Sequence, residues 1–241
     1  MKILDTCKII IVITVVIHII ELSAHAAGVS GQGTWEATLQ SRDLDGNGTV
    51  DAFYDTNLNI TWLANANANG FKTWTVANNW ANNLLVGSIG NWRLPSMTDS
   101  GAVANWSNGD TNAGWNVLTS SSEMASLYYD TLGNKAFRDT NGDIQSGPGL
   151  TNTGNFQNMQ ANYYWSGSSE FLDNSNAWVN NFDEGNQNAV NKYFNSYAIA
   201  VHDGDVMVSN VPEPETYYIL LAGLGLVGFI TRHRRKQLST L

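Results

Sequence analysis

The chain has 241 residues, with 21 Asp and Glu against 12 Lys and Arg and a single cysteine. That length allows one large domain or two small ones. Between residues 27 and 211 six basic residues face 17 acidic ones, a net charge of −11; such a surface repels nucleic acid and anionic headgroups, which excludes DNA or RNA as a partner.

In chain order, Lys2 and Lys8 precede an apolar run from Ile9 to Ile20, and Ala24 and Ala26 bracket His25 in the pattern that signal peptidase reads. The run is shorter than the ~20 residues a membrane crossing needs. Residues 1–26 are therefore expected to be a signal peptide cleaved after Ala26. Cleavage there removes Cys7, leaving an exported product without disulfides, thiolate ligands or a cysteine nucleophile.

The body, residues 34–209, shows no linker and no fixed repeat, and reads as one domain. "DLDGNGTVDAFYD" places Asp43, Asp45, Asn47, Thr49 and Asp51 at alternating positions of an EF-hand-like loop, whose oxygens can converge on Ca2+. Position 12 is Tyr54, so the bidentate Glu is missing, and the same residues also form metal-free turns. A weaker run, Asp139, Asn141 and Asp143, follows the same logic. "AFYDTNLNITWLA" predicts a strand pair or a bent strand.

"TWTVANNWANNLLVG" predicts a helix with Trp74, Ala77, Ala81 and Leu84 on one face, Thr73 at its start and Gly87 at its end. A second helix follows in "SSSEMASLYYDTLGN", with Ser120 and Glu123 in capping-box spacing, Met124, Leu127, Tyr128 and Leu132 inward, and a stop at Gly133. Strands are expected in "YYWSG", "AWVNNF" and "SYAIAV", and a two-residue hairpin at Asp203-Gly204. Two helices and antiparallel strands joined by long loops make an α+β domain.

Residues 210–236 close the pattern. Pro212-Glu213-Pro214 is followed by an apolar run over 217–230 and then by Arg232, Arg234, Arg235 and Lys236. Basic residues stay on the cytoplasmic side, so this segment is expected to sit in the membrane with the body outside. The order resembles the PEP-CTERM sorting signal. That resemblance implies an inner-membrane precursor, cleavage by an exosortase near Pro212, Glu213 and Pro214, and release to the cell surface or matrix of a Gram-negative bacterium that makes exopolysaccharide.

The body itself, through "NITWLANAN", "NWRLPS", "SEMASLYYDTLGN", "NTGNFQNMQANYYWSGS", "NAWVNNFDEGNQ" and "YAIAVHDGDV", resembles the Lcl C-terminal-type domain. That family is similar to C-type-lectin-like and sulfatase-modifying-factor folds, and its name comes from a collagen-like adhesin. The resemblance implies adhesion to polysaccharide. The chain has His202-Asp203 where relatives usually show Arg-Pro.

Among residues that could carry chemistry, His202 is the body's one histidine, and any His-based triad or zinc site must use it alone. No enzymatic activity is expected. Trp62, Trp74, Trp80, Trp92, Trp165 and Trp178 are expected in the core. Trp106 and Trp115, in an Asn-rich loop, could stack on sugar rings, with Glu184, Asn186 and Gln187 as further contacts. Arg93 is expected as a structural ion pair or backbone clamp. Two functions remain open: a non-enzymatic module for exopolysaccharide or other glycans, and a structural, protein-binding component of the envelope.

Overall fold

A computed structural model describes residues 28–101, 106–207 and 218–224. Ala24 and Ala26 of the expected signal peptide, and Pro212, Glu213 and Pro214, lie outside them, as does most of the 217–230 run. Among the described residues no helix is long and apolar enough to cross a membrane. Residues 218–224 are helical and apolar in sequence.

The body is mixed helix and strand. A short helix, α1 (Trp35–Thr38), leads into β1 (Leu39–Arg42), and β2 (Ala52–Asp55) and β3 (Ile60–Leu63) form the expected antiparallel pair. β4 (Lys72–Thr73) runs into α2 (Trp74–Asn82). β5 (Ser107–Asn108) and β6 (Gly114–Trp115) precede α3, which is α-helical over Glu123–Ala125 and π-helical over Ser126–Thr131. β7 (Tyr163–Ser169), β8 (Asn176–Asn181), β9 (Asn186–Asn191), β10 (Asn195–Ser196) and β11 (Val201–Asp203) complete the order. The sheets are β1-β2-β3-β11, β5-β6-β9-β8-β7 and the pair β10-β4. All pairings are antiparallel except β5 with β6.

One apolar cluster joins the two larger sheets, drawing Phe53 and Trp62 from the first and Tyr164, Trp165 and Val179 from the second. Trp62, Trp92, Trp165 and Trp178 are fully buried, with Trp74 and Trp80 packed against the same cluster. An indole N–H cannot be left dry without cost, and each of the four fully buried indoles finds an acceptor. Trp165 donates to the Lys72 carbonyl (2.8 Å), Trp74 to the Ser166 carbonyl (2.8 Å), and Trp178 to Asp99 Oδ2 (2.9 Å).

α2 buries Ala77 and Ala81, whose small side chains let it lie close to the core. It ends earlier than expected. Asn83 caps it, its side-chain Nδ2 donating to the Asn79 carbonyl at 2.7 Å. Gly87 lies beyond the helix, where a Cβ would come within 2.4 Å of the Leu44 carbonyl.

The start of α3 also differs from the capping-box expectation. Ser122, not Ser120, is the cap, accepting from the Ala125 N–H at 3.3 Å. Glu123 is then the first helical residue, too early to close a box, and Arg93 and the Ser96 N–H occupy its carboxylate. Met124, Leu127, Tyr128 and Leu132 are buried as expected, and the π turn is marked by the Leu132 N–H donating to the Leu127 carbonyl, five residues back. Gly133 ends the helix with φ 65°.

Asp203-Gly204 does not make a hairpin. β11 pairs with β3, the Gly204 N–H donates to the Asn59 carbonyl, and residues 205–207 form no return strand. The turn residues end an edge strand of the first sheet.

Candidate ligand-binding face

β5 and β6 pair in parallel, and Trp106, just before β5, lies against Trp115 of β6, ring centroids 5.0 Å apart and tilted by 46°. Trp106 is 51% exposed, while Trp115 is partly covered. Arg138 Cζ sits 5.6 Å from the Trp115 centroid and 5.6 Å from that of Phe137. Its Nη1 donates to the Gly142 carbonyl at 2.6 Å. The result is an aromatic step with a cation behind it, in an otherwise acidic protein.

Neighbouring chain segments lock this arrangement. Asn116 donates its backbone N–H to Tyr129 Oη (2.9 Å) and its side-chain Nδ2 to the Arg138 carbonyl (2.7 Å). Tyr129 in turn donates to the Gly185 carbonyl. Sequence reasoning missed Arg138 and Phe137. The Asp139–Asp143 turn next to them was legible, but nothing local says that it folds against Trp115.

Of the other expected contacts, Glu184 is half-buried and accepts from Asn186 Nδ2 at 2.9 Å. Asn186 and Gln187 are correctly placed on β9 beside Trp115 and Gly114, but they are not surface groups. Gln187 is fully buried and donates to the Asn112 carbonyl at 2.6 Å, and Asn186 is 3% exposed. β9 lies inside a five-stranded sheet, and that is why amides which look like surface residues in sequence end up covered.

The loop from Asp43 to Asp51 brings carboxylate oxygens of Asp43, Asp45 and Asp51 within 4.8 Å of one another. Each is also engaged by the chain. Asp43 accepts from the Gly46 and Gly48 N–H groups (both 2.7 Å), Asp51 from the Leu44 N–H (2.8 Å), and Asp45 from Asn47. Asn47 Oδ1 accepts from the Thr49 N–H at 2.7 Å. These are turn-closing hydrogen bonds that need no ion.

The Gly48 N–H, helped by that of Gly46, holds the Asp43 carboxyl below its usual 3.8. A depressed folded-state pKa stabilises the loop above 3.8, and the contribution disappears as pH falls through the lower folded value. In an NMR titration the Gly48 amide shift should therefore move with a midpoint below 3.8; a midpoint above it would mean that the hydrogen bond is not formed. The Asp139–Asp143 run is likewise a closed turn, Asp139 Oδ1 accepting from the Asn141 (2.8 Å) and Asp143 (2.9 Å) N–H groups.

His202 lies on β11 with its ring edge-on to Trp92, centroids 5.8 Å apart. The acids flanking it are taken: Asp203 by Arg93 (2.5 Å) and Asp205 by Arg42 (2.7 Å). Elsewhere a cleft of about 260 Å³ is lined by the hydroxyl residues Ser96, Thr98, Thr119, Ser120, Ser121 and Ser122, with Glu123 at its side.

No curated protein and no solved structure matches the chain. Residues 210–236 match the family model of the PEP-CTERM protein-sorting motif, which implies an exported protein, made as a membrane-anchored precursor and processed by an exosortase.

Proposed function

We propose that residues 34–209 form one C-type-lectin-like domain of the Lcl C-terminal type, a non-enzymatic module that binds exopolysaccharide or another glycan at the cell surface or in the matrix. In this reading the signal peptide is removed after Ala26, and the exosortase acts near Pro212-Glu213-Pro214. The observation that carries the glycan ligand is the half-exposed indole of Trp106, tilted against Trp115. A flat, apolar ring surface suits the face of a sugar that presents C–H groups and leaves its hydroxyls at the edge.

The test is binding to a glycan array that includes the host's own exopolysaccharide, run in calcium and in EDTA. Trp106→Ala should weaken binding about tenfold, equivalent to ~1.4 kcal/mol, while Ile144→Ala on the neighbouring loop should not change it. Loss of binding in EDTA would show that calcium is needed and support the Asp43–Asp51 loop as the ion's site. Retention would leave that loop as a turn. A blank array in both conditions would favour the structural, protein-binding alternative.

A further inference from the structure

The second sheet has two ends. The β8–β9 turn, residues 182–185, lies at the end where the Phe137 N–H donates to the Glu184 carbonyl and Trp115 pairs with Asn186. At the other end Asn176 opens β8 opposite Asn191, the last residue of β9. Six residues of β9 separate the two, roughly 17 Å of strand. The far end is markedly apolar. Phe171 (75% exposed) and Leu172 (53%) sit in the β7–β8 loop, and Tyr193 (88%) and Phe194 (64%) in the β9–β10 turn.

Lys192 holds these two loops together. Its N–H donates to the Ser175 carbonyl at 3.0 Å. Its Nζ donates to the Asn174 carbonyl and to Ser169 Oγ, both at 2.8 Å, and lies 4.3 Å from the Trp74 ring centroid. The Lys192 carbonyl accepts from the Trp74 N–H at 3.2 Å, which adds the start of α2 and its exposed Val76 to the same end. Of the loop acids, Glu170 is half-buried and accepts from Asn176 Nδ2 (2.9 Å), while Asp173 is exposed and accepts from Ser175 Oγ (2.7 Å). Lys72, on neighbouring β4, is exposed. Single exposed apolar side chains are ordinary, but several gathered on clamped loops mark an interaction surface.

We propose that this end of the sheet rests on a lipid bilayer, the one that holds the chain's own anchor, while the protein is a membrane-anchored precursor. The inference rests on the sorting-motif match and not on the glycan reading. Met207 and Tyr218 are eleven positions apart in the chain, a stretch that spans at most about 40 Å. A domain of this size has a radius of gyration of about 16 Å and a width of about 40 Å. The tether thus keeps the body at the membrane and lets any of its faces reach the surface. Phe and Tyr rings near the exposed Lys72 suit the interfacial zone, where apolar bodies enter the acyl boundary and an ammonium group meets phosphates. The body's net negative charge directs this contact to zwitterionic lipid. Docked this way, the Trp106 step stands at the opposite end of the sheet.

The test uses the full chain with Cys7→Ser, reconstituted in phosphatidylcholine vesicles carrying a nitroxide lipid. An environment-sensitive dye is attached at Phe171→Cys, Tyr193→Cys or Ile144→Cys; Ile144 is exposed on a loop at the other end of the sheet. Quenching severalfold stronger at 171 and 193 than at 144 is the expected result, weakening when phosphatidylglycerol replaces part of the phosphatidylcholine. Equal quenching at all three sites, or none at 171 and 193, overturns the proposal. So does a dye signal at 171 and 193 that follows protein concentration in detergent, since that would put a second copy of the chain on the surface. Glycan binding, read through Trp106, is untouched by either result, so failure here leaves the lectin-like reading standing.

Discussion

Replacing Asp55 with alanine should destabilise the body by about 4 kcal/mol, the largest single effect expected of a polar residue here. Asp55 is fully buried. Its Oδ1 accepts from the Asn57 (3.0 Å) and Leu58 (3.3 Å) N–H groups, which form the β2–β3 turn. Its Oδ2 accepts from Trp62 Nε1 (3.3 Å) and Thr131 Oγ1 (3.4 Å), joining the first sheet to the end of α3. Alanine removes the charge but strands these donors, two of them deep in the core, and opens a cavity. In urea, with an m-value of ~2 kcal/mol/M, the midpoint should fall by about 2 M. Asp55→Asn keeps one acceptor and should lie between the two. A drop of under half a molar for the alanine variant would show that the turn and the indole find other acceptors.

Arg93→Ala should cost about 3 kcal/mol. Arg93 makes a two-pronged pair with Glu123, Nη1 to Oε2 and Nη2 to Oε1, both 2.8 Å, and also contacts Asp203. The pairing with Glu123, and then with Asp203, raises the guanidinium pKa above its usual value. Removing it leaves the carboxylate of Glu123, whose side chain is only 16% exposed, with the Ser96 N–H as its remaining partner. Asp203 is 77% exposed and can turn to water, so nearly all of the loss should come from Glu123. Arg93→Lys keeps the charge but not the fork, and should recover less than half. A double-mutant cycle with Glu123→Ala should give a coupling above ~1 kcal/mol; a coupling near zero would reduce the pair to a surface contact.

Both residues show how far local pattern reaches. A clamp role for Arg93 was legible from its place in "NWRLPS", but its partners were not, because Asp203 lies 110 residues away in the chain and Glu123 30. Asp55 carries no local sign of its role, since one of its core partners, Thr131, lies 76 residues away. The same distance effect undid the hairpin at Asp203-Gly204. Its signal is local, whereas β11 takes its partner from β3, with the Thr61 hydroxyl donating to the Gly204 carbonyl across 143 residues. The Gln187 amide failed for a related reason: polarity in sequence says nothing of position within a sheet, and an interior strand can bury an amide once a carbonyl such as that of Asn112 meets it.

Features that depend on short-range pattern were legible in the residues alone. Spacing of Trp74, Ala77 and Ala81 made a helix, the aromatic and β-branched residues of "AFYD" and "ITWL" made a strand pair, and Pro-Glu-Pro with its apolar run and arginines made a sorting address, since such a signal is read as a linear string. Tertiary structure alone decided which surfaces could meet a partner. It set Arg138 behind Trp115 at one end of the second sheet and gathered Phe171, Leu172, Tyr193 and Phe194 at the other. Strand order and the Lys192 clamp bring those residues together, and both arise from long-range pairing that no local window encodes.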